Sequence, residues 1–117
     1  MKQLDNQKFE YADVYGNTYV LVFAVGLYST TLNQAVQIFC EDSGYLEPYC
    51  SLTVNLNKVP KGYAYLDTNN CPEKIIRGLE EEGLVAKTGT SMRSGFCIYP
   101  LYNIENLLDV CKDMEDF

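Results

Sequence analysis

A chain of 117 residues has room for one domain with a core of ordinary size. Hydrophobic residues at 47% and charged residues at 21% are globular proportions and exclude disordered and collagen-like classes. Sixteen acidic against nine basic side chains give a net charge of −7, which disfavours direct binding to nucleic acid or anionic membrane, and the absence of histidine removes Ser–His and Cys–His nucleophile pairs and every imidazole metal site.

The first half reads as strands. Residues 9–15 and 18–28 are aromatic and β-branched runs joined by Gly16-Asn17, whose preference for positive φ favours a tight hairpin. The apolar run 19–28 is half of the ~20 residues a membrane-spanning helix needs, so it predicts a buried strand. Residues 34–41 and 49–56 flank the turn formers Asp42, Ser43 and Gly44, and Leu52, Val54 and Leu56 alternate as one face of a strand. Pro60-Lys61-Gly62 punctuates before a fifth short strand, 63–66, which ends at Asp67.

A helix is expected next. Asn70 is placed to cap it, Pro72 to sit in its first turn and Glu73 to complete a capping box. Ile75, Ile76 and Leu79 give the apolar face, and Gly83 stops the helix. Residues 89–95 read as a polar loop and 96–102 as another aromatic strand. From Asn103 the period changes again, with Ile104, Leu107, Leu108, Cys111 and Met114 marking an amphipathic C-terminal helix. Strands first and helices later predict a single α+β domain over 1–117: a mostly antiparallel sheet of five or six strands, with the helix 72–82 on one face and a short C-terminal helix.

Cys40, Cys50, Cys71, Cys97 and Cys111 are odd in number and contain no CxxC pair, so reduced thiols and no metal are expected. Lys2, Asp5, Lys8 and Glu10 interrupt any apolar opening stretch, which argues against a signal peptide and for a cytoplasmic protein.

Five segments, taken in order, carry a resemblance: 52–56 (LTVNL), 67–72 (DTNNCP), 81–84 (EEGL), Thr88-Gly89 and 94–100 (SGFCIYP). Together they resemble the family domain of unknown function 4313. The resemblance covers mainly the second half of the chain. It implies a small accessory protein of conjugative elements in Firmicutes, hence a mobile-element origin, and brings no catalytic residue.

Several constellations carry chemistry. Asp67, Thr68, Asn69 and Asn70, at a strand-to-helix junction, suit a small polar ligand, although Asx turns and helix caps use the same residues. Lys87, Thr88, Gly89, Thr90, Ser91 and Arg93 suit an anion without forming a Walker order. Cys97 near Arg93 is a thiolate candidate with a single cation to activate it, and a buried strand cysteine is the plainer reading. Glu10 with Asp13, and Glu41 with Asp42, are carboxylate pairs whose members point to opposite strand faces. Residues 105–117 hold Glu105, Asp109, Asp113, Glu115 and Asp116 against Lys112, and a continuous helix spaces Glu105, Asp109 and Asp113 by about 6 Å along one face. That row predicts a partner surface formed by Glu105, Asp109, Asp113 and Asp116.

These observations favour a non-enzymatic, acidic interaction protein without cofactor, which inhibits a host defence nuclease (a CRISPR effector or restriction enzyme) by occupying its nucleic-acid channel. A small-ligand or phosphate site joining the Asp67–Glu73 junction to the Lys87–Arg93 segment is the enzyme-class alternative, and it requires the two to converge. A homodimer built on exposed tyrosines is the structural alternative.

Overall fold

The computed structural model describes residues 1–116, with only the backbone of Asp116. The fold is α+β, and its strands form two sheets where one was expected. The first has the order β1 (Lys2–Gln3), β2 (Lys8–Ala12), β3 (Thr18–Leu27), β4 (Gln34–Asp42), β5 (Tyr45–Ser51), each neighbour antiparallel. The second has the order β6 (Thr53–Val54), β7 (Tyr63–Leu66), β9 (Cys97–Asn103), β8 (Ala86–Ser94), also antiparallel.

Leu52 joins the sheets. Its N–H donates to Val36 O at 3.0 Å, its carbonyl accepts from Asp67 N at 2.8 Å, and its side chain is fully buried. The strand expected over 49–56 is therefore two strands, and its start moves as well. The two-residue turn Ser43-Gly44, with φ of 53° and 83°, closes the ladder at Asp42 and Tyr45, the geometry of a type I′ hairpin. Pro48 is tolerated because β5 is an edge strand and the register shifts at Tyr49, from Ile38 opposite Cys50 to Phe39 opposite Pro48.

α1 (Glu73–Glu81) ends as expected: Gly83 has φ 73°, its N–H reaches Glu80 O, and Leu84 N–H reaches Leu79 O, a Schellman pair. Its start differs. Pro72 is the N-cap and no side chain caps the helix, so the Asn70 cap and the Glu73 capping box do not form. Asp67 instead gathers the turn before the helix, accepting from Asn70 N at 3.1 Å and Asn70 Nδ2 at 3.0 Å.

Two further expectations change. The polar loop 89–95 lies mostly within β8, where Gly89 at φ 85° sits in an irregular stretch between Lys87 and Ser91. The C-terminal helix is a single turn, α2 (Glu105–Leu108), followed by β10 (Lys112–Asp113) and a 3₁₀ turn (Met114–Asp116). β10 pairs in parallel with Ala24 and Val25 of β3, beyond the end of β2, so sheet hydrogen bonds replace the helical ones.

One core fills the space between the elements. Phe9, Tyr11, Leu21, Phe23, Val36 and Ile38 come from the inner face of the first sheet, Ala64, Leu66 and Tyr102 from the second, and Ile75, Ile76 and Leu79 from α1. Each large apolar side chain so buried contributes about 1.5–3 kcal/mol. On the outer face Val22 and Ala24 are also buried, the Lys8–Glu41 ion pair spans the sheet at 2.9 Å, and Met114 rests over Gly26. Among the described residues no helix is long and apolar enough to cross a membrane.

Candidate functional site

The register of the first sheet brings the β2–β3 and β4–β5 turns to one end. Glu10, Val20 and Glu41 form one row across three strands, and both turns lie just beyond it. The expected two-residue turn at Gly16-Asn17 is a five-residue turn, because the ladder closes at Ala12 and Thr18. Asp13 organises it, its Oδ1 accepting the N–H groups of Tyr15 and Asn17, both at 2.9 Å. Partial desolvation pushes the Asp13 pKa up, but bonds from Asn17, Tyr15 and the Tyr19 hydroxyl outweigh it and hold the carboxyl below its ordinary value.

Aromatic surface gathers at this end. Tyr15 is 87% exposed and Tyr45 75%, with Val14 beside Tyr15. Behind them Tyr11, Tyr19 and Tyr49 form a ring cluster with centroids 5.4–6.4 Å apart. Burial, together with Tyr11 and Tyr19, pushes the Tyr49 hydroxyl pKa upward, so the cluster stays neutral. Residues 9–20 and 40–50 contain Glu10, Asp13, Glu41, Asp42 and Glu47 and no cation. Lys2 stands opposite Glu10 in the ladder and Lys8 pairs with Glu41, which leaves Asp13, Asp42 and Glu47 as the negative groups beside the tyrosines. Carboxylates next to aromatic faces suit Lys and Arg side chains, through ion pairing and cation–π attraction.

The opposite end has the opposite chemistry. Loop 28–33 is clamped to loop 55–62: Asn33 Nδ2 donates to Asn57 O at 2.9 Å, Asn33 Oδ1 accepts from Val59 N at 3.0 Å, Thr31 donates to Asn55 at 2.7 Å, and Gln34 Oε1 accepts from Gly62 N at 2.8 Å. Between the loops lies a groove of about 400 Å³ lined by Leu27, Leu32, Val59, Pro60, Lys58 and Lys61.

The sequence-predicted ligand residues converge in part. Thr68 and Glu73 line a cleft of about 370 Å³ with Lys87, beside Arg77, Glu80 and Tyr102. Arg77 is held by Glu73 at 2.6 Å, and the Tyr102 hydroxyl donates to Glu80 at 2.8 Å. Asp67 and Asn70 are engaged with each other in the preceding turn, and Asn69 does not line the cleft. Thr88 donates to Leu101 O, and Arg93, opposite Ile98, is likewise outside it. Cys97 pairs with Ser94, so adjacent Arg93 belongs to the other face of the strand and the two are not brought together.

The acidic row does not form. Glu105 begins α2 and Asp109 is its C-cap, but Asp113 lies in β10, so a one-turn helix and a strand replace one continuous helical face. Glu105 and Asp109 line a hollow with Lys61, and the side chain of Asp116 falls outside the described residues. All five cysteines are free, and the neighbouring Cys50 thiol together with burial drives the Cys71 pKa upward. Among the described residues no group of three or more Cys, Asp or Glu is placed to hold a metal.

Sequence reasoning identified both turns but not that they share an end, since neither run predicts how strands pair. A family model described as Domain of unknown function (DUF4313) matches residues 22–117. The chain belongs to that family. The DUF4313 match takes in β4, β5, the second sheet and both loops of the lysine–leucine groove, but starts within β3, after the Asp13 turn. No curated protein and no solved structure matches the chain.

Proposed function

We propose that this chain is a non-enzymatic, acidic interaction protein whose tyrosine- and carboxylate-bearing end docks into a cationic groove of a protein partner. The observation that supports it is the pairing of exposed Tyr15 and Tyr45 with Asp42 and Glu47 in two segments that contain no cation. Tyrosine supplies contact area at low entropic cost, and a cationic rim supplies counter-charge. A groove built for nucleic acid has that chemistry, so a nuclease of a host defence system is the partner class proposed, as expected for a mobile-element protein.

Affinity capture from the native host is expected to recover such a nuclease, and duplex DNA is expected to displace it. The variant Y15S/Y45S/D42N should weaken capture by at least tenfold, since central tyrosines are worth ~2 kcal/mol or more each at an interface. E105Q/D109Q/D113Q should change it little. Recovery that DNA does not compete, or that the first variant leaves intact, overturns the proposal.

The cleft between α1 and β8 supports a second reading, because Thr68, Glu73 and Lys87 meet there as a small-ligand site demands. Lys87 forms no ion pair among the described residues and is the group to hold an anion. A phosphate titration followed by the amide shifts of Thr68 and Lys87 tests it. Unmoved shifts at millimolar phosphate remove it.

A further inference from the structure

We infer that copies of this chain associate head to tail, the acidic, tyrosine-bearing end of one seating on the lysine–leucine groove of the next. The inference rests on reading the acidic end as a contact surface, and it adds a specific occupant. β3 runs the length of the first sheet, with the Asp13 turn at its start and loop 28–33 at its end, so the two surfaces lie at opposite ends of the molecule.

The groove is built as a rigid receptor. Leu27 is 64% exposed and Leu32 61%, and Leu32 has φ 61°. A leucine in the left-handed region is unfavourable, and displaying it to solvent recovers nothing by burial. The conformation is held from outside: Leu32 N donates to Tyr28 O at 2.9 Å, Asn33 N to Thr31 Oγ1 at 3.1 Å, and buried Asn33 ties the loop to residues 57 and 59. The fold thus fixes two leucines beside Lys58 and Lys61, and among the described residues both stay largely exposed.

Complementarity names the occupant. Among the described residues neither Lys58 nor Lys61 forms an ion pair; Lys58 reaches only Thr31 O at 3.5 Å, and Lys61 borders Glu105 and Asp109 across the adjoining hollow. The other end of the same chain offers Asp42 and Glu47 for the lysines and Tyr15 and Tyr45 for the apolar floor. The net charge of −7 opposes association at long range. With a Debye length of ~8 Å at 0.15 M salt, charges distant from the contact are screened while those within it are not. Two different surfaces in contact make a heterologous interface, which propagates beyond a dimer unless it closes into a ring.

Sedimentation velocity on the protein up to about 1 mM tests this, since that concentration reveals contacts with Kd near the same value. The wild type should grow with concentration past the dimer, more at 0.15 M than at 0.01 M salt. Y15S/Y45S and L32N/K58E, each checked for a cooperative melting transition, should each remain monomeric, while their equimolar mixture should form a dimer and nothing larger. If a double variant does not fold, the neutralising single substitutions D42N and K58Q, which create no compensating charge pair, take its place in the same mixing design. A wild type monomeric at 1 mM, variants that associate as the wild type does, or a mixture that stays monomeric overturns the inference. Retained capture of a cationic partner by a monomeric wild type would reject this assembly alone and leave the proposed function standing.

Discussion

Asp13 shows how one side chain sets both a turn and a pH response. Its carboxylate accepts two backbone N–H groups, the Asn17 amide and the Tyr19 hydroxyl, and its folded pKa lies below the ordinary value of 3.8. A carboxyl with a depressed folded pKa contributes stability that is fully present above the unfolded pKa and is lost as pH falls through the folded one. D13N should therefore lower the melting temperature at pH 7, and the deficit should shrink as pH falls below ~4 and on through the depressed folded pKa, beneath which both proteins carry a neutral group. Thermal melts from pH 7 to pH 2.5 measure this, and a deficit constant across that range would assign Asp13 no electrostatic part. Leu32 is the converse case. Asn tolerates the left-handed region that Leu resists, so L32N should stabilise the monomer by up to about 1 kcal/mol in denaturant unfolding. A loss of stability would show that the exposed leucine side chain packs usefully in the isolated chain.

At the scale of elements, burial decides where prediction from sequence succeeds. Ile75, Ile76 and Leu79 recur at helical spacing and are all buried, so α1 was legible from its apolar face alone. Leu79 is fully buried against both sheets' core, and L79A should cost about 2–5 kcal/mol, read as a lower midpoint of urea unfolding with unchanged slope. The hairpins were legible from their turn residues. β8 was not, since Thr88, Gly89, Thr90 and Ser91 are exposed and carry no alternation; the ladder to β9 resumes on either side of an irregular stretch, at Lys87 and Ser91, a tertiary effect invisible to local composition. The C-terminal helix failed for the same reason. Ile104, Leu107, Leu108 and Cys111 do pack inward with helical spacing, but Lys112 and Asp113 find the open edge of β3 beside Ala24 and Val25. A four-residue helix is too short to hold its own hydrogen bonds against that alternative. With the helix went the acidic row, which was an inference from continuity. The paired turns were missed for the complementary reason: each was visible, and only the register of three strands puts them side by side.

Charge at the scale of the whole molecule is sorted along the chain. Residues 83–104, which include β8 and β9, contain Lys87 and Arg93 and no carboxylate, so this segment is +2 and the remainder of the −7 chain is −9. Repulsion within that remainder destabilises the compact state, because folding concentrates charges that the unfolded chain holds apart. Salt weakens this penalty, as the Debye length falls from ~30 Å at 0.01 M to ~8 Å at 0.15 M. The two ion pairs of the described residues, Lys8–Glu41 and Glu73–Arg77, sit at or near the surface and are worth at most about 1 kcal/mol each, so screening them costs little in return. The melting temperature at pH 7 should therefore rise with sodium chloride over this range. It should rise less at pH 5, closer to the isoelectric point of about 4.4, where fewer carboxylates are ionised and less repulsion is left to screen. Calorimetry at the four combinations of pH and salt, on protein dilute enough to be monomeric, measures the difference. A fall in stability with salt at pH 7 would mean that specific ion pairs outweigh the net charge, and would move attention from the acidic surface as a whole to the few contacts that neutralise it.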